Sequence, residues 1–222
     1  MPLIRIETVA PDVRLGLWQI EESLTVFCNA SKRLRRLNSQ LLAYRSTARR
    51  LEVLATYSLL FAITGHEELS ITHDSNGKPH VEGFHVSISH TRGYAALILS
   101  TSREVAVDIE YYSNRVKRIA HKFIREDEDA ETLDSQLINW SAKETVYKLL
   151  SAESLQFFEM RLHPFTPQEQ GCIKVQDLKN DHTISVYYRL DPAFVLTYAI
   201  SSSSSLTHNG IVTGHGNECD EE

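Results

Sequence analysis

The sequence predicts an α+β fold made of two similar halves. Three observations carry the prediction. Strand-like runs open and close the chain, while residues 31–65 and 136–150 carry helical spacing. Val86–Leu99 and Ile184–Ile200 echo each other, each a hairpin with an aromatic residue that ends in an apolar run closing on serine. Each of these hairpins would follow a helix. Halves of this kind, split near residue 103, would be α+β units packed with a site at their junction.

Taken in order, Leu3–Thr8 and Val13–Gln19 read as strands, and Leu24–Cys28 as a further strand or the opening of a helix. Ser31–Gly65 turns helical, with Leu51, Leu54, Ala55, Tyr57, Ser58 and Phe61 in helical phase and Gly65 as C-cap. Ile71–His73 is a short strand. Asp74–Pro79 is a turn punctuated by Asn76-Gly77 and Pro79. His85–Ser89 and Tyr94–Ser100 are strands joined by His90–Gly93 as a hairpin loop. Arg115–Arg125 is helical and basic, and the acidic Glu126–Asp129 starts a helix or forms a solvated loop. Gln136–Leu150 is a helix with Leu137, Trp140, Ala142 and Val146 among its apolar positions. Ile173–Gln176, Thr183–Arg189 and Phe194–Ile200 return to strand. The divisions expected are residues 1–103, residues 104–200 and a polar, disordered tail at 201–222.

Bulk properties exclude some classes. A length of 222 residues with 42% hydrophobic content suits a soluble domain with a proper core. A net charge of −6 gives no reason to expect nucleic acid as a partner. No apolar run suggests a membrane span, and Met1–Glu7 lacks the layout of a signal peptide. Cys28, Cys172 and Cys219 are odd in number, far apart and without metal-ligand spacing. That pattern fits free thiols in a reducing compartment, so the expected location is cytoplasmic.

The chemistry gathers at Val105–Glu110. Val105, Val107 and Ile109 alternate with Ala106, Asp108 and Glu110, the pattern of a strand with one buried face. Asp108 and Glu110 then share a face, where their mutual repulsion would be relieved by a hard divalent cation. Taken alone, the pair is more often an ordinary acidic edge. A second stretch, Trp140–Lys148, places Glu144 and Lys148 one helical turn apart, which by itself is a common surface ion pair. Trp140, a turn earlier, would press that face against the protein. Asp108, Glu110 and Glu144 would then be three carboxylates for one metal, with Lys148 beside them for phosphate. Ser89 and His90 can both donate to phosphate, and Gly77-Lys78-Pro79 offers a rigid loop with a charge. Lys32, Arg33, Arg35, Arg36, Arg45, Arg49 and Arg50 form a basic run that is either a solvated face or the mark of an anionic partner.

In order and spacing, Gly77-Lys78-Pro79, Ser87–His90, Val107–Glu110 and Trp140–Glu144 with Lys148 resemble the 4′-phosphopantetheinyl transferases, of the surfactin-synthetase-activating (Sfp-like) type. The resemblance implies a pseudo-twofold α+β fold of two halves with coenzyme A in the cleft between them. It implies Mg²⁺, or Mn²⁺ in its place, and transfer of the 4′-phosphopantetheine arm to a serine of an acyl or peptidyl carrier protein. The other product is 3′,5′-ADP. Carried over by residue, Asp108, Glu110 and Glu144 would be metal ligands, and Glu144 also the base for the attacking serine. Lys148 would meet the pyrophosphate and His90 the phosphates. Ser89 and Arg50 would meet the 3′-phosphate, and Lys78 and Pro79 the adenine. The partner would be a carrier protein of a fatty-acid, polyketide or peptide synthase, met by a monomer. Two departures stand out: Tyr57 where the family often has arginine, and Leu149–Leu155 without the Gly-x-Gly that often follows the lysine. The alternatives are a non-catalytic relative that binds coenzyme A or carrier protein, and a Mg²⁺-dependent nuclease.

Overall fold

The computed structural model describes residues 3–128 and 130–202. Its helices and antiparallel sheets make an α+β chain, as the sequence predicts. The chain divides into two units, Met1–Ser102 and Arg103–Glu222.

In the first unit, β1 (Leu3–Ala10) and β2 (Val13–Gln19) form a hairpin around Asp12, which adopts a left-handed φ of 60°. The Asp12 carboxylate accepts hydrogen bonds from the Ser100 and Ser102 hydroxyls at 2.8 and 2.6 Å. Helices α1 (Leu24–Ala30), α2 (Lys32–Gln40) and α3 (Thr47–Thr64) follow. The Ser31 hydroxyl caps α2 and the Ser46 hydroxyl caps α3, each satisfying amide donors that a helix start leaves open. Gly65, at φ 77°, ends α3 as expected. A small ribbon of β3 (Thr72–His73) and β4 (Pro79–His80) precedes β5 (His85–Thr91) and β6 (Tyr94–Ser100). The main sheet runs β1-β2-β6-β5. Helix α3 lies so close to β2 that a Cβ at Gly16 would stand 2.9 Å from Leu59 and Ile63 side-chain carbons. Trp18, Phe27, Leu34, Leu54, Leu60 and Leu97 build the core between helices and sheet.

The second unit pairs β7 (Val105–Tyr111) with a long helix on a five-stranded sheet. After β7 come α4 (Arg115–Ile119), α5 (Leu133–Leu149), β8 (Met160–Leu162), β9 (Gln170–Asp177), β10 (His182–Leu190) and β11 (Phe194–Ile200). The sheet order is β7-β11-β10-β9-β8. Thr132 and Ser135 form a reciprocal capping box at the start of α5. The helix then lies over β7, β11 and β10, burying Ile138, Ala142 and Val146 with Phe123, Val175, Val186 and Val195.

Several sequence expectations change. Leu24–Cys28 is helix, the second of the two readings its sequence allowed. The helical stretch at 31–65 is two helices, interrupted by a 3₁₀ turn at Leu41–Ala43. Helix α4 stops at Ile119, where a second 3₁₀ turn begins. His90 stands on β5 opposite Ala95 rather than in the hairpin loop. Strand β7 is buried on both faces, since Ala106 and Asp108 are covered as fully as Val105 and Val107. Glu128 is no solvated residue: its carboxylate is buried against Lys143. Cys28 is a free thiol, as expected. Among the described residues no helix is long and apolar enough to cross a membrane. Of the predicted tail at 201–222, residues 203–222 lie outside the described residues.

Candidate active site

Strand β7 and helix α5 assemble the acidic group. Asp108 is 4% exposed, and its two carboxylate oxygens have separate partners. Oδ1 accepts from Lys148 Nζ at 2.7 Å, and Lys148 also donates to the Val107 carbonyl at 3.0 Å. Oδ2 accepts from the Ser141 hydroxyl at 2.9 Å. Glu110 Oε1 accepts from Trp140 Nε1 at 2.8 Å. Trp140 is wedged between Phe123 and Phe157, with ring centroids 4.9 and 5.1 Å away, so this helix face is pressed inward. Lys148 therefore reaches across to β7 instead of only lining a solvated helix face.

The electrostatics follow from that packing. Burial, and then the charges of Asp108 and Glu110, push Glu144 up to about 7 despite the opposing charge of Lys148. Burial and the Asp108 charge raise Glu110 as well, with the Trp140 N–H pulling the other way. Two carboxyls resisting ionisation beside a third are a setting in which a cation is stabilised.

Behind Asp108 lies a group of buried hydroxyls that sequence reasoning missed. Thr197 on β11 faces Asp108 in register. Its hydroxyl lies 2.9 Å from that of Ser141 and 2.6 Å from that of Thr145, and it also lies 2.9 Å from the Ser141 carbonyl. Lys143, between Ser141 and Glu144 in the chain, points elsewhere. It is fully buried and donates to Glu128 at 2.8 Å and to the Phe123 carbonyl at 2.6 Å.

The loop after Lys148 replaces the expected glycines with a different device. Ser154 takes the left-handed conformation at φ 51°, after a 3₁₀ turn at Ser151–Glu153. Lys179 Nζ donates to the Glu153 carbonyl at 2.9 Å, and Asn180 Nδ2 donates to the Glu153 carboxylate, pinning the loop to the β9–β10 turn. Glu153, Asp177 and His182 each bring one ligand atom within 4.8 Å of the others. Asp177 already accepts from the Lys179 and Asn180 amides and from the Asn180 side chain, which accounts for it as the cap of that turn.

The other candidates belong to the first unit. His90 Nε2 lies 2.7 Å from the Thr56 hydroxyl on α3, and that hydroxyl donates to the Glu52 carbonyl. Ser89 is buried beside it on β5. The Lys78 amide donates to Asp74, which organises the turn before Pro79. Arg50 donates through Nη2 to Asn38 at 2.9 Å. Tyr57 is buried, and its hydroxyl accepts from the Ile71 amide at 3.0 Å, so it ties α3 to the segment before β3.

No curated protein matches this chain. Residues 104–200, which carry Asp108, Glu110, Glu144 and Lys148, match the family model of the 4′-phosphopantetheinyl transferase superfamily, and the match supports that superfamily for this segment.

Proposed function

We propose that this chain transfers the 4′-phosphopantetheine arm of coenzyme A to a serine of an acyl or peptidyl carrier protein, as an Sfp-like transferase. The observation that carries the reading is the group formed by Asp108 and Glu110 on β7 with Glu144 and Lys148 on α5, inside the segment that matches the superfamily. The raised Glu144 carboxyl beside Asp108 and Glu110 fits a hard divalent cation, since carboxylate oxygens are the ligands such an ion prefers. Asp108, Glu110 and Glu144 would hold Mg²⁺, or Mn²⁺ in its place. When bound, the ion supplies neutralisation of the phosphoanhydride oxygens.

The chain's own residues do the rest. Lys148 adds a positive charge against the pyrophosphate. Glu144 accepts the proton of the attacking serine, directly or through a water, and burial near neutrality matches it to that task. The serine oxygen bonds to phosphorus as the phosphoanhydride bond breaks, and 3′,5′-ADP leaves. Such a transfer needs positioning and charge neutralisation more than covalent help. In the first unit, His90 is assigned to the phosphates, Ser89 and Arg50 to the 3′-phosphate, and Lys78 and Pro79 to the adenine. Thr56 holds the His90 ring for that role.

The loop after Lys148 favours a second reading, a relative that binds coenzyme A or carrier protein without transfer, because Leu149–Leu155 lacks the Gly-x-Gly that often follows the family's lysine and turns through Ser154 instead. Mass spectrometry of apo carrier proteins incubated with coenzyme A, Mg²⁺ and this chain separates the two. The expected result is one added phosphopantetheine, lost with EDTA and in Asp108→Ala. Unchanged mass for fatty-acid, polyketide and peptide carriers alike would overturn transfer and leave the binding reading.

A further inference from the structure

We propose that Thr197, with Thr145 behind it and Ser141 in front, is a positioning residue that fixes which oxygen of Asp108 is presented to the metal. The inference rests on the metal reading above. It starts from counting protons. An ionised carboxylate only accepts, so the Ser141 hydroxyl must spend its single proton on Asp108 Oδ2 at 2.9 Å. Thr197 then directs its own proton at Ser141, whose hydroxyl and carbonyl oxygens both lie 2.9 Å away. Thr145 in turn donates to Thr197 at 2.6 Å. The three hydroxyls form one row, Thr145 to Thr197 to Ser141, with the Thr197 proton shared between the Ser141 carbonyl and hydroxyl oxygens, and the row ends at Asp108.

Direction matters here because Ser141, Thr145 and Thr197 are fully buried and Asp108 is nearly so. In such surroundings successive hydrogen bonds strengthen one another, and a missing one leaves a buried polar atom without a partner. The row holds Oδ2 on the helix side, which turns Oδ1 toward Lys148. It also spans two elements: Ser141 and Thr145 share a face of α5, and Thr197 belongs to β11, in register with Asp108. The carboxylate is thereby referenced to helix and sheet together. Outer partners of metal-binding carboxylates typically change affinity by about 10–100-fold when removed.

The test is direct binding of Mn²⁺ to the full chain, followed by electron paramagnetic resonance, together with thermal unfolding. Ser141→Ala and Thr197→Val are expected to weaken Mn²⁺ binding about tenfold or more, and Thr145→Val by less. Thr197→Ser, which restores the hydroxyl, should recover most of the affinity. In transfer assays the apparent Mg²⁺ constant should rise while the coenzyme A constant stays within about twofold. If Thr197→Val does not fold, Ser141→Ala and Thr145→Val carry the same comparison. Wild-type binding that is lost in Asp108→Ala but unchanged in folded Ser141→Ala, Thr197→Val and Thr145→Val would sink this inference and leave the metal reading standing. No Mn²⁺ binding by the wild-type chain would overturn the metal reading and this inference with it.

Discussion

Glu144 holds its proton more tightly in the folded chain than the ordinary value of 4.5, at about 7, because burial and two neighbouring carboxylates oppose its charge. Between those values the folded state binds protons that the unfolded state has released. Stability contributed by that proton is therefore present below about 4.5 and is lost as pH rises through about 7. Glu110, raised for related reasons, slopes the same way. In EDTA, the thermal midpoint should fall between about pH 5 and pH 8, and Glu144→Gln should flatten part of that fall. The gain from the substitution near pH 8 should be on the order of 1–2 kcal/mol. A variant whose pH slope matches the wild type would mean that Glu144 titrates in the ordinary range. The acidic pair itself was legible, because a period of two puts Asp108 and Glu110 on one face wherever a strand forms. Thr197 was not. Its link to Asp108 comes from the pairing of β7 with β11, and no local spacing connects residues so far apart in the chain.

Helix α5 serves the sheet, the carboxylates and the preceding loop with different faces. Its Trp140, Glu144 and Lys148 follow helical spacing, so this side could be drawn from the sequence. Lys143, next to Glu144 in the chain, is buried against Glu128. The carboxylate of Glu128 also accepts from the Arg125 and Leu162 amides at 2.8 and 2.7 Å. One residue thus joins α5, the 123–128 loop and β8. Burial holds the Lys143 amine below its usual range, with Glu128 acting in the other direction. Lys143→Ala would leave Glu128 buried and uncompensated, at about 3–5 kcal/mol of unfolding free energy in urea titrations. Replacing both partners, Lys143→Met with Glu128→Gln, should recover a large share, and no recovery would argue against the pair as the source. The acidic run around Glu128 looked solvated because nothing local reveals a partner on a later helix. The loop after α5 was misleading in a related way, since Ser154 adopts the conformation that glycine favours. Ser154→Val should destabilise by about 1–2 kcal/mol, whereas Ser154→Gly should not. Equal unfolding midpoints for the two variants would count against strain at this position.

Across the whole chain, a net charge of −6 coexists with the basic helix α2 and the Arg45–Arg50 segment. The first unit assigns these cations different tasks. Arg33 donates to the Ser70 hydroxyl and Arg35 to the Cys28 carbonyl, so both help to hold the helices. Arg36 is exposed. Arg36→Glu should therefore raise the apparent Michaelis constant for carrier protein, more at low salt than at high salt, with the coenzyme A constant within about twofold. Arg50→Ala should instead raise the coenzyme A constant. Carrier kinetics indifferent to Arg36→Glu at low ionic strength would make α2 a solvated face.

The turn at Asp12 has a consequence for dissecting the chain. One carboxylate near the N-terminus gathers the hydroxyls of Ser100, Thr101 and Ser102, the last residues of the first unit. That unit's closing segment is anchored to its own first hairpin, so its end does not rely on the residues that follow for this fastening. The peptide bond between Ser102 and Arg103 is accordingly the natural place to divide the gene for two-fragment complementation. A break even a few residues earlier would remove the hydroxyls that Asp12 collects and leave the end of β6 to fray.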